Sequence, residues 1–217
     1  MQAYDIKKAR RDLYAPQPGA FEIVAVPEMG FLMVDGHGDP NTAAAYRQAV
    51  EALYAASYSV RALAKAALQT VHVVGPLEGL WWAEDPEAFR TRDKGAWNWT
   101  LLIVQPDWIT PDIAAEALAA AQKKKPLSAL GLVRFERYRE GRSVQILHVG
   151  SYDDEGPTLE RLHHVFLPAN ALAPRGRHHE IYLSDARTTE PPKLKTILRQ
   201  PVAAAMSGGA PRPDPVR

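Results

Sequence analysis

Apolar and polar positions alternate over several short stretches, and two longer stretches repeat at helical spacing. Residues 21–27 (FEIVAVP) and 31–34 (FLMV) read as two strands joined through Glu28-Met29-Gly30. The turn Asp35-Gly36-His37-Gly38-Asp39-Pro40 follows, and Asn41 or Thr42 is placed to cap a helix. Over residues 43–68, Tyr46, Val50, Leu53, Tyr54, Ser57, Tyr58, Arg61, Leu63 and Ala64 recur at helical spacing, with two or more breaks expected inside the span because the stretch near Ser57 is weaker helix. Residues 71–83 read as strand interrupted at Gly75-Pro76, residues 97–104 as the clearest strand of the first half, and residues 112–124 as an alanine-rich helix.

The second half repeats this order. Residues 132–138 and 143–149 read as strands, with Glu140-Gly141-Arg142 as a turn between them. A Gly/Asp/Pro turn at 150–157 precedes a helix capped by Thr158, with Leu159, Leu162, Val165 and Phe166 on its apolar face. In the strand from His178, Glu180, Tyr182 and Ser184 share one face, and His179, Ile181 and Leu183 the other, because strand side chains alternate. Pro191 and Pro192 then stand where prolines start helices, so residues 193–198 are expected to form a closing helix. The pattern predicts an α+β chain of two strand–helix–strand repeats, about residues 20–110 and 111–200. Residues 1–19 form an arm pinned by Tyr4, Ile6, Leu13 and Tyr14, and residues 203–217 a disordered tail rich in Ala, Gly and Pro.

Composition narrows the function classes. With 46% hydrophobic and 24% charged among 217 residues, one domain or two small ones with an ample core are expected. A net charge of +1 is too balanced to suggest nucleic acid or membrane as partner. The absence of cysteine excludes disulfides and thiolate metal sites. The charged N-terminus has no apolar core of a signal peptide, and no run reaches the roughly 20 apolar residues of a spanning helix, so a cytoplasmic protein is expected.

Candidate chemistry is confined to a few positions. Trp81 and Trp82 must face opposite sides of a strand, whereas Trp97 and Trp99 share a face. Cores are usually filled by Leu and Val, so this many indoles suggest a pocket lined by one of Trp81 and Trp82, together with Trp99. Glu180 is the sharpest candidate: in an apolar site its pKa would rise, and it could act as a base near neutrality, with Tyr182 beside it. Tyr54 and Tyr58 lie on one helical face, so either packs on the sheet or one offers a hydrogen bond to a ligand. The histidines lack metal-ligand spacing, Gly36-His37-Gly38 lacks the rest of a dinucleotide motif, and no nucleophile motif occurs; no metal or cofactor is expected.

Glu180-Ile181-Tyr182-Leu183-Ser184-Asp185, followed by Lys193-Leu194-Lys195-Thr196-Ile197-Leu198-Arg199, resembles the C-terminal signature of stand-alone GyrI-like small-molecule-binding proteins, some of them cyclopropanoid hydrolases. The resemblance covers about residues 1–202. It implies two α+β repeats related by a pseudo-two-fold axis, the bacterial effector-binding fold, with antiparallel sheets and a ligand cleft between the repeats. It also implies Glu180 as the polar centre of the pocket, and it favours Tyr58 over Tyr54. Two functions follow from it. One is a hydrolase that opens strained cyclopropane rings, with Glu180 and Tyr58 as catalytic residues and Trp81, Trp82, Trp99, Tyr54 and Tyr182 binding the ligand. The other is a non-catalytic binder that sequesters or senses planar hydrophobic or cationic molecules.

Overall fold

The computed structural model describes residues 3–85 and 87–205. Two short helical turns, α1 (Ile6–Ala9) and α2 (Arg11–Tyr14), precede β1 (Glu22–His37). Helix α3 (Ala44–Ala67), β2 (Leu77–Trp82), the short α4 (Glu87–Arg90), β3 (Asn98–Gln105) and α5 (Pro111–Lys124) complete the first half. The second half holds β4 (Arg134–Val149), α6 (Gly156–Arg161), a π turn (Leu162–Phe166), α7 (Leu167–Ala169), β5 (Leu172–Pro174), β6 (His178–Tyr182) and β7 (Lys195–Ala204).

The strands run β4-β1-β3-β2-β6-β7, and β4 pairs with β7 to close the ring; β5 adds to the far end of β7. Every pairing between these strands is antiparallel. Closure removes the open edges that would otherwise invite further strands. In this order β1 corresponds to β4, β2 to β6 and β3 to β7, a pseudo-symmetric α+β arrangement of the kind expected from the sequence.

The expected turns at Glu28-Met29-Gly30 and Glu140-Gly141-Arg142 are absent. β1 and β4 each run 16 residues without a break, and they pair through those positions. What changes there is the alternation. Val24 and Val26 pack on the barrel interior, and beyond Pro27 so do Met29, Phe31 and Met33. The inward parity therefore slips by one residue, which a sequence reader sees as an interruption.

Helix α3 is also continuous, without the breaks expected inside it. It starts at Ala44, with no side-chain cap. Asp39 fixes this start: its carboxylate accepts the backbone and side-chain amides of Asn41, each at 2.9 Å, so Asn41 is held in a turn. Helix α6 begins at Gly156, two residues ahead of the expected Thr158 cap. Residues 193–198 form no helix: Pro191–Lys193 is a single tight turn, and β7 follows. β7 lies between β4 and β6 and is buried on both faces, so its apolar run carries no period to separate strand from helix. β7 continues to Ala204; the disordered tail expected at 203–217 lies, from residue 206 on, outside the described residues.

Helices α3 and α5 cover the outer face of the first repeat. Ala49, Ala52, Ala56 and Ala64 of α3 and Ala114, Ala117 and Ala121 of α5 are buried there with Trp81, Trp99, Leu101 and Ile103. Alanine faces let the helix backbones approach closely, and the Ser59 hydroxyl donates to the Ala117 carbonyl at 2.7 Å. Gly36 lies directly opposite Trp99 in the ladder, and the indole crosses it: a Cβ on Gly36 would fall 2.0 Å from the ring. The N-terminal arm is pinned as expected, and it serves as a plug. Ile6, Leu13 and Tyr14 enter the barrel interior beside Leu102, Val104, Ile181 and Ile197.

Candidate functional site

β6 presents two polar sets, one on each face. His178, Glu180 and Tyr182 point outward, toward the side covered by α3, whereas His179 and Ile181 point into the barrel. The outward set faces aromatic rings from four other segments. Tyr46 of α3 stacks on Trp81 (6.2 Å, 25°), Trp97 meets Trp81 edge-on at 5.8 Å, and Tyr152 meets Tyr182 edge-on at 5.7 Å. Trp99 lies beneath, 1% exposed and edge-on to Tyr46 at 5.3 Å.

One hydrogen-bond chain organises these groups. Trp81 Nε1 donates to the Tyr182 hydroxyl at 3.1 Å, and that hydroxyl donates to Glu180 Oε2 at 2.7 Å. The indole N–H can only donate, so the phenol oxygen accepts from it, and with Glu180 ionised the phenol proton lies on the 2.7 Å contact to Glu180. Glu180 therefore acts as the acceptor. Its side chain is 17% exposed, so it is recessed yet reachable. Burial pushes its carboxyl up to about 7, against the pull of the Tyr182 bond and of the nearby His179 and Lys94 cations. His178 Nε2 lies 3.7 Å from Glu180 Oε1, but burial and the neighbouring His163 and His179 pull His178 down to about 3. That contact is thus between a carboxyl and a neutral imidazole.

Gly79 makes this arrangement fit. It faces Glu180 across the β2–β6 ladder, and a Cβ there would fall 2.7 Å from Trp81 Nε1 and 3.2 Å from the Tyr182 hydroxyl. Gly79→Ala is expected to break the indole–phenol bond and to destabilise the chain by about 1–3 kcal/mol, the usual cost of overpacking. Urea unfolding with tryptophan emission would read both effects; unchanged emission and midpoint would refute the fit.

The rim carries charge. Arg92 and Lys94 pair with Asp153, the latter at 3.6 Å, which ties the loop before β3 to the loop after β4. Lys94 also lies 5.9 Å from the centre of the Trp97 ring. A cavity of about 320 Å³ exists elsewhere, between the N-terminal segment and β1, lined by Tyr4, Arg10, Glu28 and Arg137 among others. Its charges are already matched: Arg137 pairs with Glu28 at 2.6 Å and Arg10 with Asp12 at 2.7 Å.

The inward set is of another kind. The Tyr14 hydroxyl donates to Glu78 at 2.9 Å, and His179 bridges Glu78 (2.9 Å) and Glu140 (3.1 Å). Arg199 meets Glu140 at 3.2 Å and donates to the Leu13 carbonyl at 2.6 Å. Burial alone would lower His179, but Glu140 and Glu78 raise it to about 9. Burial alone would raise Glu140, but His179 and Arg199 hold it at about 2. This is an ionised lattice that fastens the N-terminal plug inside the barrel.

The positions singled out in the sequence are thus divided. Glu180, Tyr182 and Trp81 meet in the recess, with Trp99 as its floor. Trp82 points to the other face, where the Arg177 guanidinium stacks on it at 3.7 Å. Tyr58 is 57% exposed on the outer side of α3, away from Glu180. Tyr54 packs against the first-half core near Asp185 and Arg187. The helix phenol at the recess is Tyr46, roughly 80° and 120° around the helix from Tyr54 and Tyr58. Sequence reasoning also passed over Trp97, Tyr152 and Glu155; the shared face of Trp97 and Trp99 was the one available signal. Among the described residues, no group of three or more His, Asp or Glu is arranged to hold a metal ion, and no helix is long and apolar enough to cross a membrane.

Comparisons with known proteins bear on this geometry. The GyrI-like small molecule binding domain family matches residues 20–203. An uncharacterized conserved protein from Listeria innocua is similar at 41% identity and a TM-score of 0.85, over 92% of this chain and 100% of that one. Two Listeria innocua proteins described as hydrolases are similar at 40% and 38% identity, with TM-scores of 0.84 and 0.81. They cover 93% and 92% of this chain and the whole of their own. No curated protein matches the sequence.

Proposed function

Since this chain belongs to the GyrI-like small molecule binding domain family, we propose that its Glu180 recess seats a flat, largely apolar molecule and opens a strained ring in it by hydrolysis. The observation that carries this reading is the chain from Trp81 through Tyr182 to Glu180, set among aromatic rings. It gives one carboxylate of fixed orientation, raised toward neutrality, in surroundings that favour a planar ligand. The Listeria innocua relatives described as hydrolases support it.

The chemistry suits a cyclopropane conjugated to a carbonyl. Glu180 takes a proton from water, the water oxygen attacks a ring carbon, and the ring C–C bond breaks with its electron pair moving to the carbonyl oxygen. Ring strain lowers the intrinsic barrier, so positioning and a small set of polar groups can drive the step. The rings of the recess touch one another, so the ligand enters by parting Tyr152, which is 39% exposed, from Tyr182.

A base is active once it has lost its proton. With Glu180 at about 7, kcat/KM for a cyclopropanoid should rise about tenfold per pH unit below pH 7 and level off above it. A profile flat from pH 5 to 8 would remove Glu180 from the base role. The second reading, sequestration without turnover, is favoured by an anionic Glu180 beside indole faces, which suits a hydrophobic cation through cation–π attraction of about 0.5–2 kcal/mol. Purified protein that quenches its tryptophan emission with such cations and consumes a cyclopropanoid only stoichiometrically would select it.

A further inference from the structure

Glu155 is a second carboxyl at the same recess, and nothing described so far uses it. It is 5% exposed, in the turn that also carries Tyr152. It stands immediately before α6, where the exposed amides of the first turn favour a negative charge. Glu155 does not cap: its backbone carbonyl accepts from Thr158 and Leu159, while its side chain bonds none of the α6 amides. No ion pair reaches it among the described residues. Its Oε1 is buried without a hydrogen-bond partner, and so is the Thr196 hydroxyl, which lies near enough to the Glu155 carboxyl to favour its charged form slightly.

The charged groups around it are few. Glu180 and Asp153 disfavour a negative charge on Glu155, and Arg92 favours it weakly from the rim, where it is already engaged with Asp153. The phenols of Tyr152 and Tyr182 face it as well, and their own ionisation is opposed by it. Two carboxyls so placed cannot both be ionised cheaply, and the hydrogen bonds decide which keeps the charge. Glu180 receives the Tyr182 hydroxyl bond at 2.7 Å, which favours its charged form. Glu155 receives none within hydrogen-bonding geometry.

We infer that Glu155 holds the proton of this carboxyl pair and is the acid of the site, donating to the ligand's carbonyl oxygen while Glu180 acts as acceptor. The ring-opening form of this inference rests on the function proposed above. There the balance closes: Glu180 gains the proton that water loses, the carbonyl oxygen takes the electron pair of the broken C–C bond and the proton of Glu155, and the alcohol and enol leave together. A proton passing from Glu180 back to Glu155 restores the site. Burial and the neighbouring Glu180 both push the Glu155 carboxyl well above its ordinary value, in keeping with that role.

Infrared difference spectra of the full chain at pH 7 test the proton directly, with no ligand needed. Wild type minus Glu155→Gln should contain a protonated-carboxyl C=O band, and the band should persist in Glu180→Gln. Absence of the band from the first difference, or its loss in Glu180→Gln alone, overturns the inference. The acid role is tested with a cyclopropane conjugated to a carbonyl. Glu155→Gln should lower kcat by about 10²–10⁴-fold with KM little changed, and Glu155→Asp should recover part of the rate and keep the band. A wild-type rate in Glu155→Gln overturns the acid role and leaves hydrolysis standing. No turnover by the wild type defeats the proposed hydrolysis, and the infrared band alone then decides where the proton sits. Thermal melts of both variants separate loss of fold from loss of proton.

Discussion

Glu180→Gln is expected to lower turnover of a cyclopropanoid by about 10²–10⁴-fold and, at pH 8, to raise the melting temperature. The two effects share one cause. Glutamine keeps a carbonyl oxygen for the Tyr182 hydroxyl but carries no charge to bury. In the wild type, the folded-state pKa of Glu180 stands at about 7, above the ordinary 4.5, so the folded state holds the proton more tightly than the unfolded chain does. A raised carboxyl therefore costs no stability below about 4.5. The cost grows as pH rises from there to about 7, and it is constant above. Its size is on the order of 1–3 kcal/mol, the lower part of that range being favoured by the 17% exposure of the side chain. Calorimetry of both proteins at pH 5 and pH 8 checks this: the stability gap should be small at pH 5 and open at pH 8. A glutamine variant that is no more stable at pH 8 would mean that the wild-type recess does not strain its acid.

Breaking the ionic lattice inside the barrel should have the largest effect on stability. Arg199→Met removes the fully buried guanidinium that meets Glu140 and the Leu13 carbonyl, leaving Glu140 with His179 alone. Removing one partner of a buried pair costs about 3–5 kcal/mol, because the charge left behind is poorly compensated. The N-terminal plug should loosen too, since Leu13 and Tyr14 are both tied to this lattice. Urea unfolding would measure the loss, and limited proteolysis ahead of residue 15 would report the plug. The same lattice sets a pH window. His179, raised from 6.5 to about 9, contributes stability that is complete below 6.5 and is lost as pH climbs through 9. Glu140, lowered from 4.5 to about 2, contributes stability that is complete above 4.5 and is lost as pH falls through 2. These two shifts record one interaction, to be counted once. Stability from the lattice should therefore peak between about pH 4.5 and 6.5, and Arg199→Met should be penalised most there. A variant within about 1 kcal/mol of wild type across that window would show that the charges compensate one another without the arginine.

The sequence by itself determined what depends on local periodicity. Alternation along residues 178–184 put Glu180 and Tyr182 on one face and His179 on the other, which is how β6 divides catalytic candidates from lattice. The same rule separated Trp81 from Trp82 and joined Trp97 to Trp99. What period alone could not reach was decided by packing between distant segments. Residues 195–200 became a strand because β4 and β6 both pair with them, and burial on two faces leaves no alternation to read. Tyr46, rather than Tyr54 or Tyr58, reached the recess because the alanine face of α3, pressed on α5 and the barrel, fixes the rotation of the helix. Glu155 joined Glu180 only through closure of the barrel. A side chain's face follows from its own strand, but its neighbours are set by segments that may lie a hundred residues away, and a single chain read in order carries no term for that contact.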